Sequence, residues 1–457
     1  MATQTFFADF VWRGGESAAT NCRIEVSNGV IVSVLDGATA QSGDTRISGV
    51  VLPGLVNAHS HAFHRALRGL THSGAGDFWS WRAPMYQVAN SLTPENYGEL
   101  AAMVYAEMAL AGITGVGEFH YLHHDAKGAK YKDPNEMGIA LVAAAQRAGT
   151  RLALLDVAYL HGGLDKPELL PEQKRFADND IDAWLDRVEL LGDGGEGWTV
   201  GLAPHSVRAV HPNELDAIVG SRFGRVVHLH VSEQPAENEA CIAATGKTPT
   251  AVLESVGMLG SHVTAVHATH LTSADIAMLG SSKTNACFCP TTERDLADGV
   301  GPAQQLVAAG AVLSLGSDSH AVIDLFEEAR AVELNQRLVT SRRGLHTAGS
   351  LLAAATHGGS RSLGWAGDEI VAGINPGMPA DFIALSLNSV RLASFSAQHA
   401  AAHIVYSAAP SDVTDVWVGG QQVVAAGRHI VIGDVAAGLR SAIAAVVTIC
   451  LLAATTC

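Results

Sequence analysis

The stretch "NAHSHAFHRALRG", residues 57–69, follows the apolar run "VLPGLV" and places three histidines within six positions. His59 and His61 are two residues apart at the end of a predicted strand, so both side chains point to the same side. Two imidazoles on one face can chelate a divalent ion of the zinc type. Two solvated or hydrogen-bonded histidines are the alternative, and His64 lies beyond the strand end.

Short apolar runs of this kind recur along the middle of the chain. They cover residues 54–61, 112–121, 151–159, 199–206, 225–233, 263–270, 284–290 and 311–319. Amphipathic segments with a helical pattern separate them, at 95–111, 135–149, 213–222, 272–280 and 302–310. Strands that alternate with helices predict a parallel (β/α)8 barrel, an α/β fold of the TIM type.

Both ends of the chain are instead rich in short runs that favour β-strands. "NCRIEVSNGVIVSVLDG" (21–37) contains a tight turn between two strand-like runs, and "DVWVGGQQVVAAGRHIV" (415–431) repeats the pattern. We therefore predict a small β-sandwich domain built from residues 1–52 and 371–440, around a barrel at 53–370. Residues 441–457 form an apolar C-terminal tail.

Composition limits the classes of function. The formal net charge of −16 argues against nucleic acid or an anionic membrane as a partner. The six cysteines are scattered, and the N-terminus lacks a basic segment followed by an apolar run, so a cytoplasmic protein with reduced thiols is predicted. The tail has 17 uncharged residues, near the lower limit for a membrane span. A docked terminal helix or a disordered tail is the preferred interpretation.

The run "VVHLHVSEQ" offers further candidate ligands. His228 and His230 end the strand, and Glu233 follows three residues after His230. One of these histidines can complete a three-histidine set with His59 and His61 that leaves a coordination position open for water. Glu233 is placed to move protons to and from that water, whereas taken alone it would be a surface carboxylate.

Two later strand ends add polar groups. "AVHATHL" ends with His267 and His270, and "SLGSDSH" ends with Asp318. A carboxylate that closes an apolar strand costs several kcal/mol to bury unless it is paired or binds a metal. A helix N-cap is the alternative for Asp318. Ligand-type residues at four separate strand ends together predict one metal ion that lowers the pKa of a water molecule towards neutrality.

The order "PGLVNAHSH", "HLHVSE", "HATH" and "LGSDS" resembles the amidohydrolase superfamily, whose members hydrolyse C–N and related bonds at one or two metals on a (β/α)8 barrel. The resemblance implies that one zinc ion is bound by His59, His61, His230 and Asp318. It also implies that His267 lies beside the water and that Glu233 is the proton shuttle. His228 and His270 fall outside this set. No lysine follows the fourth strand, so a two-metal bridge is not expected.

The segments "FWSWR", "EFHYLHHD" and "APHSVRAV" resemble the iminohydrolase branch of this superfamily. That branch converts N-formimino-L-glutamate and water into N-formyl-L-glutamate and ammonia, and a homodimer is expected by analogy. The implied substrate-binding residues are His64, Arg82, Tyr121, His205 and Arg208. Arginine pairs a carboxylate bidentately, although without the resemblance both arginines would be ordinary surface residues. His64 departs from the branch, which commonly has glutamine there.

Two other functions fit parts of the pattern. A deaminase for a purine, a triazine or a guanidino acid would share the metal site without needing two arginines as a carboxylate clamp. A non-catalytic barrel that binds or assembles is the rival from another class, and such proteins usually lack some of the ligands that are present in this sequence. In the mechanism that the resemblance implies, either Asp318 or Glu233 takes the first proton.

The first test concerns the opening stretch. Replacing His59 with alanine removes one of the four expected ligands, so we expect the purified variant to contain much less zinc per chain than the unaltered protein. Elemental analysis of both proteins measures this. Undiminished metal would remove His59 from the ligand set.

Overall fold

The computed structural model describes residues 3–455 with gaps at 72–77, 165, 222–223 and 368–372, and the side chains of 78–80 and 448–455 are outside this description. The strands are β1 Gln4–Val11, β2 Ala19–Ser27, β3 Val30–Leu35, β4 Thr45–Pro53, β5 Leu55–Ser60, β6 Ile113–His120, β7 Arg151–Ala158, β8 Gly194–Gly195, β9 Trp198–Pro204, β10 Val227–Val231, β11 Val263–His267, β12 Asn285–Phe288, β13 Val312–Leu315, β14 Phe382–Leu385, β15 Val413–Val418, β16 Gln421–Ala425 and β17 Arg428–His429.

The α-helices are α1 Phe78–Ser91, α2 Pro94–Leu110, α3 Glu136–Ala148, α4 Ile181–Glu189, α5 Pro212–Ser221, α6 Pro235–Thr245, α7 Pro249–Ser255, α8 Ser273–Ser281, α9 Pro290–Asp295, α10 Ala303–Ala309, α11 Leu325–Thr340, α12 Ala348–Ala353, α13 Gly359–Ser362, α14 Ala400–Ser407 and α15 Val435–Thr455. Short 3₁₀ turns cover Ala62–Leu67, Pro171–Phe176, Ala397–His399 and Pro410–Asp412, and a π turn covers Ala354–Gly358.

The middle of the chain forms the predicted barrel. Its strands run in the order β5, β6, β7, β9, β10, β11, β12 and β13, and each neighbouring pair is parallel. Each of the eight apolar runs predicted from the sequence overlaps one of these strands, and the intervening helices include α2, α3, α5, α8 and α10. The (β/α)8 fold class is confirmed.

The first and last strands of the barrel meet at one point, through Asp318. Its backbone N–H donates to the carbonyl of His59 at 3.0 Å, and its own carbonyl accepts from the N–H of His61 at 3.2 Å. Ser60 and Asp318 thus form an isolated parallel bridge. We call these two hydrogen bonds the seam. They join the first and last strands of the barrel, and the three residues that form them are all predicted metal ligands.

Two glycines of β6 are closely approached by larger neighbouring groups. A Cβ atom on Gly115 would lie 2.4 Å from the ring of Trp365, and one on Gly117 would lie 2.6 Å from Leu363 and from the carbonyl of Ala58. Glycine at these two positions of β6 therefore leaves room for the larger side chains. The active sites of barrel enzymes lie at the carboxyl ends of the strands, so we expect the site there.

Strands from both ends of the chain form a second sheet in the order β17, β16, β15, β14, β4, β1, β2 and β3. The sheet curls, because the edge strand β3 hydrogen-bonds to residues just before β14, with the N–H of Ile31 donating to Met378 at 2.8 Å. Its inner face holds a separate hydrophobic cluster that includes Phe6, Phe382 and Trp417. The predicted limit between barrel and sheet, at 370/371, lies outside the described residues.

The apolar tail belongs to a terminal helix. Helix α15 packs against α1 and α2, with Val446 fully buried and Gly438 close to Met103. The described part of the tail is thus a terminal helix docked on the protein. Residues 456–457 lie outside the described residues. Among the described residues, none of the helices has the length and apolarity that a membrane crossing requires.

Candidate active site

A cavity of about 620 Å³, its open mouth included, lies at the carboxyl ends of the barrel strands. The residues selected from sequence line it almost without exception, namely His61, His64, Arg82, Tyr121, His205, Arg208, His230, Glu233, His267 and Asp318. His59 is fully buried behind the cavity wall. Residues spread over more than 250 positions of the chain therefore meet in one place.

The four expected ligands converge. The Nε2 atoms of His59 and His61 lie 3.5 Å and 3.3 Å from the Oδ1 atom of Asp318. The Nε2 atom of His230 lies 3.2 Å from that of His59. Ligand atoms around a tetrahedral zinc ion are roughly 3.4 Å apart, given metal–ligand bonds of about 2.0–2.1 Å. The spacing of these donor atoms fits such an ion.

Hydrogen bonds behind the rings determine which nitrogen faces the centre. The Nδ1 atoms of His61 and His230 lie 3.0 Å and 3.1 Å from the carbonyl oxygens of Phe119 and His205. A carbonyl only accepts, so each Nδ1 carries the proton and each Nε2 presents a lone pair. The lone pairs of neutral imidazoles then point at one another beside a carboxylate. A bound cation would remove this repulsion, so the donor set suits a divalent metal.

The backbone at several strand ends is left-handed, which is uncommon for residues other than glycine. The φ angles are 53° at Ser232, 67° at His267 and 42° at Asp318. Such conformations concentrate at functional sites, where surrounding structure maintains them. Asp318 is not a helix cap, because Asp324 caps α11 by accepting from Phe326 at 2.9 Å.

Three carboxylates surround His267. Its Nε2 atom lies 3.7 Å from Glu233 and 3.9 Å from Asp318, and its Nδ1 atom lies 3.5 Å from Glu293. Burial alone lowers the pKa of this imidazole, but the carboxylates hold it well above its usual range. Glu293 was missed in the sequence, although it follows the strand end "CFCP" as the other site residues follow theirs.

Glutamates hold the guanidinium of Arg208. Its Nη2 atom lies 3.9 Å from Glu233, and its Nε atom lies 3.6 Å from Glu237. Glu237 also accepts a hydrogen bond from the backbone N–H of Glu233 at 3.1 Å. Glu237 was missed too, and its signal is its place four residues after Glu233. Arg208 is a cavity residue, not an ordinary surface arginine.

Arg82 lines the opposite part of the wall. Its guanidinium lies over the ring of Tyr86, 5.3 Å from the centroid, and donates to the hydroxyl of that tyrosine. His64 has its Nε2 atom 3.1 Å from the hydroxyl of Tyr121, and the Nδ1 atom of His205 lies 3.1 Å from Ser206. The cavity thus combines cationic and neutral hydrogen-bonding groups opposite a carboxylate-rich centre.

The remaining strand-end histidines bond elsewhere. The Nε2 atom of His228 lies 2.8 Å from the carbonyl of Ser362, and that of His270 lies 2.7 Å from the carbonyl of Asp298. Neither residue lines the cavity, and no lysine is found among the described residues of its wall. Both histidines therefore direct their Nε2 atoms to backbone carbonyls outside the cavity.

The motif "EFHYLHHD" divides between two environments. Tyr121 faces the cavity, whereas His120, His123 and Asp156 form a second buried group with metal-ligand chemistry. Arg187 donates to both carboxylate oxygens of Asp156 at 2.8 Å. Because the guanidinium already neutralises this carboxylate, the second group is a buried ion-pair network.

Fold and site together define a metal-dependent hydrolase built on a (β/α)8 barrel. Residues 50–423 match the amidohydrolase family, and the chain belongs to that family. It is 36% identical over 428 residues to formimidoylglutamate deiminase of Pseudomonas aeruginosa, covering 91% of this chain and 93% of that protein.

Two solved structures are similar over nearly the whole chain. An amidohydrolase from Brucella melitensis has a TM-score of 0.90 and 34% identity, covering 97% of this chain and 100% of the other. An adenosine deaminase from Xanthomonas campestris with bound zinc has a TM-score of 0.82 and 25% identity, covering 98% of each chain. Members with different substrates thus share this architecture.

The buried network generates a prediction about pH. Burial is the main reason that the pKa of His120 falls to about 4, so the folded chain keeps this ring neutral while the unfolded chain protonates it near 6.5. The stability that the neutral ring contributes is present above pH 6.5 and is lost as the pH falls towards 4. Between pH 7 and 5 the loss from this residue is roughly 2 kcal/mol.

Urea unfolding at pH 7 and at pH 5 measures this loss of stability in the His120→Gln variant and in the unaltered protein. We expect the variant to lose less stability on acidification. The exposed His399→Gln serves as the control and should behave like the unaltered chain. Equal losses in all three proteins would contradict the prediction.

Proposed function

We propose that this chain hydrolyses N-formimino-L-glutamate to N-formyl-L-glutamate and ammonia in histidine degradation, with one zinc ion as cofactor. The observation that carries the proposal is a single cavity that joins a convergent ligand set to two arginines, Arg82 and Arg208. Similarity to the Pseudomonas aeruginosa deiminase over nine-tenths of the chain supports the same reaction.

The charges of the cavity complement this substrate, which carries two carboxylates and a cationic formimino group. Arg82 and Arg208 offer planar guanidinium groups that pair carboxylates bidentately. Glu233 and Asp318 lie at the centre of the site, where they attract the cationic end. The substrate would therefore bind with its formimino carbon towards the ligand set and its carboxylates towards the arginines.

His64, Tyr121 and His205 complete the proposed substrate contacts. All three line the cavity between the ligand set and Arg82 or Arg208. Tyr121 and His64 already hydrogen-bond to each other at 3.1 Å, so they present a paired donor and acceptor to a polar substrate. The iminohydrolase branch commonly has glutamine at the position of His64. Like glutamine, His64 can donate a hydrogen bond to the substrate.

The residues that would hold the ion are His59, His61, His230 and Asp318. Three nitrogen donors and one carboxylate suit zinc, and the similar Xanthomonas campestris structure contains zinc. When bound, such an ion acidifies a water molecule and polarises the group under attack. The cavity wall has no lysine among its described residues, which favours one ion over two.

Glu233 is the proposed proton carrier. Its carboxylate lines the cavity and lies 3.7 Å from the Nε2 atom of His267. It takes a proton from the attacking water and delivers it to the formimino nitrogen, which leaves as ammonia. One C–O bond forms at the formimino carbon; as the C–N bond breaks and the C=O bond forms, the second water proton passes from the oxygen to the carboxylate of Asp318.

His267 and Asp318 are the other proposed catalytic residues. Surrounding carboxylates favour the protonated ring of His267, whose Nε2–H can donate to the oxygen on which negative charge develops. Asp318 accepts a hydrogen bond from the attacking water and so directs its lone pair at the carbon. Glu293 contacts the far nitrogen of His267 at 3.5 Å and holds the ring in this orientation.

A deaminase for a purine is the main rival, since the adenosine deaminase from Xanthomonas campestris has the same fold. A purine base carries no carboxylate for the guanidinium groups of Arg82 and Arg208 to bind. Two cationic side chains in the wall therefore favour a dicarboxylate.

Ammonia release from N-formimino-L-glutamate, adenosine, guanine, an aminotriazine and a guanidino acid tests the substrate. A site built for polar groups rejects analogues that lack them, so we expect kcat/KM for N-formimino-L-glutamate to exceed the others by roughly 100-fold or more. Arg208→Lys should raise KM for this substrate, because lysine cannot pair bidentately. Faster release from a purine would overturn the substrate and leave the family unchanged.

Glu233→Gln tests the proton carrier. Removing a general acid or base lowers kcat by about 10²- to 10⁴-fold, and we expect that loss at saturating substrate with zinc content unchanged. The exposed Glu239→Gln, six residues away on α6, is the matched control and should keep full turnover. Near-normal turnover of Glu233→Gln would remove this role.

A further inference from the structure

A chain of hydrogen bonds runs behind the ligand set, through residues that alternate with the ligands. Ser60 stands between His59 and His61, Ser317 directly precedes Asp318, and His320 follows Asp318 by two residues. The Nδ1 atom of His320 lies 3.0 Å from the hydroxyl of Ser317, and its Nε2 atom lies 3.2 Å from the hydroxyl of Ser60. All these side chains apart from Asp318 and His61 are completely buried.

One end of the chain is set by Asn57. Its Oδ1 atom accepts from the backbone N–H of Ser317 at 2.9 Å, so its Nδ2 atom must be the one that donates to the Ser317 hydroxyl, at 2.7 Å. That hydroxyl already accepts one hydrogen bond and directs its own proton to the Nδ1 atom of His320. The histidine is then protonated on Nε2.

The other end of the chain is set by Glu118 on β6. Its Oε2 atom accepts from the Ser60 hydroxyl at 2.7 Å, and its Oε1 atom accepts from the backbone N–H of Ala62 at 2.6 Å. Ser60 therefore accepts from the Nε2–H of His320, which is the same tautomer that Asn57 requires. Every donor in the chain has one acceptor, and all bonds point towards Glu118.

Burial raises the pKa of Glu118 to about 7, and hydrogen bonds from Ala62 and Ser60 act in the opposite direction. The carboxylate is thus ionised in mildly alkaline solution, where it accepts two hydrogen bonds at once. At this end of the hydrogen-bond chain, replacing the carboxylate with an amide can reverse the direction of the hydrogen bonds.

We propose that Glu118 is a positioning residue for the metal site. By setting the direction of hydrogen bonding through Ser60 and His320, it holds the two strand ends at the seam so that His59, His61 and Asp318 converge. The inference rests on the metal site of the proposed function and does not depend on the substrate. Partners outside the ligand set commonly change metal affinity by about 10- to 100-fold.

Two variants break the chain in different ways. Ser60→Ala removes the hydroxyl that joins Glu118 to His320. Glu118→Gln keeps the shape but offers an N–H where Ser60 needs an acceptor, so Ser60 must turn its proton to His320 and oppose the tautomer that Asn57 imposes. Glu328→Gln is the matched control, because Glu328 is equally buried and accepts from the N–H and hydroxyl of Thr291 away from the chain.

The zinc dissociation constant of the full chain, measured without substrate at pH 8 by competition with a chelator, tests the proposal. We expect about 10- to 100-fold weaker binding in Ser60→Ala and Glu118→Gln, and no change in Glu328→Gln. Nitrogen NMR of labelled histidine, with the His320 signal assigned by its loss in His320→Gln, should show Nε2 protonation in the unaltered chain and a changed tautomer in Glu118→Gln.

Unchanged zinc affinity in both Ser60→Ala and Glu118→Gln would overturn the proposal. An equal loss in Glu328→Gln would also overturn it, since the effect would then be that of any buried carboxylate. Failure of the N-formimino-L-glutamate assay would leave these binding results untouched, so the two proposals can fail separately.

Discussion

Two backbone hydrogen bonds of one residue, Asp318, join the first and last strands of the barrel beside those between Asn57 and Ser317. The N–H and C=O of Asp318 bond to His59 and His61, and its carboxylate lies within 3.5 Å of both imidazoles. The contact that completes the fold is therefore also the contact that completes the donor set. A parallel barrel whose first and last strands separated would lose the site at the same moment, so stability of the fold and formation of the site are physically coupled.

Electrostatics then divide the cavity into two regions. The chain is acidic overall, yet Arg82 and Arg208 stand in the cavity wall, and Arg208 is held between Glu233 and Glu237. Without a ligand, these carboxylates partly neutralise the guanidinium and keep it from turning towards solvent. An anionic ligand must compete with them, which makes the geometry of its carboxylate matter as much as its charge.

The strands and the residues that converge at their ends were predictable because parallel strands carry continuous apolar runs and end in polar residues. His59, His61, His230, His267 and Asp318 all have this signal. Glu118 does not, since it lies inside a buried strand and its partners come from distant segments. Cys22, Cys241, Cys287 and Cys289 are buried and form no disulfide within the described part of the chain. The domain limits, the cytoplasmic location, the homodimer and the roles of the site residues stay predictions, because they depend on partners, compartments and reactions that a single folded chain does not contain.

The left-handed backbone at Asp318 restricts how this protein can be redesigned. At a φ angle of 42°, aspartate, asparagine and glycine are tolerated far better than β-branched or bulky residues. A mutational library that exchanges this proposed ligand for glutamate or cysteine would strain the same residue that closes the barrel. The main chain thus restricts the donor groups that this position can offer, and a change of the donor set would start at the histidines.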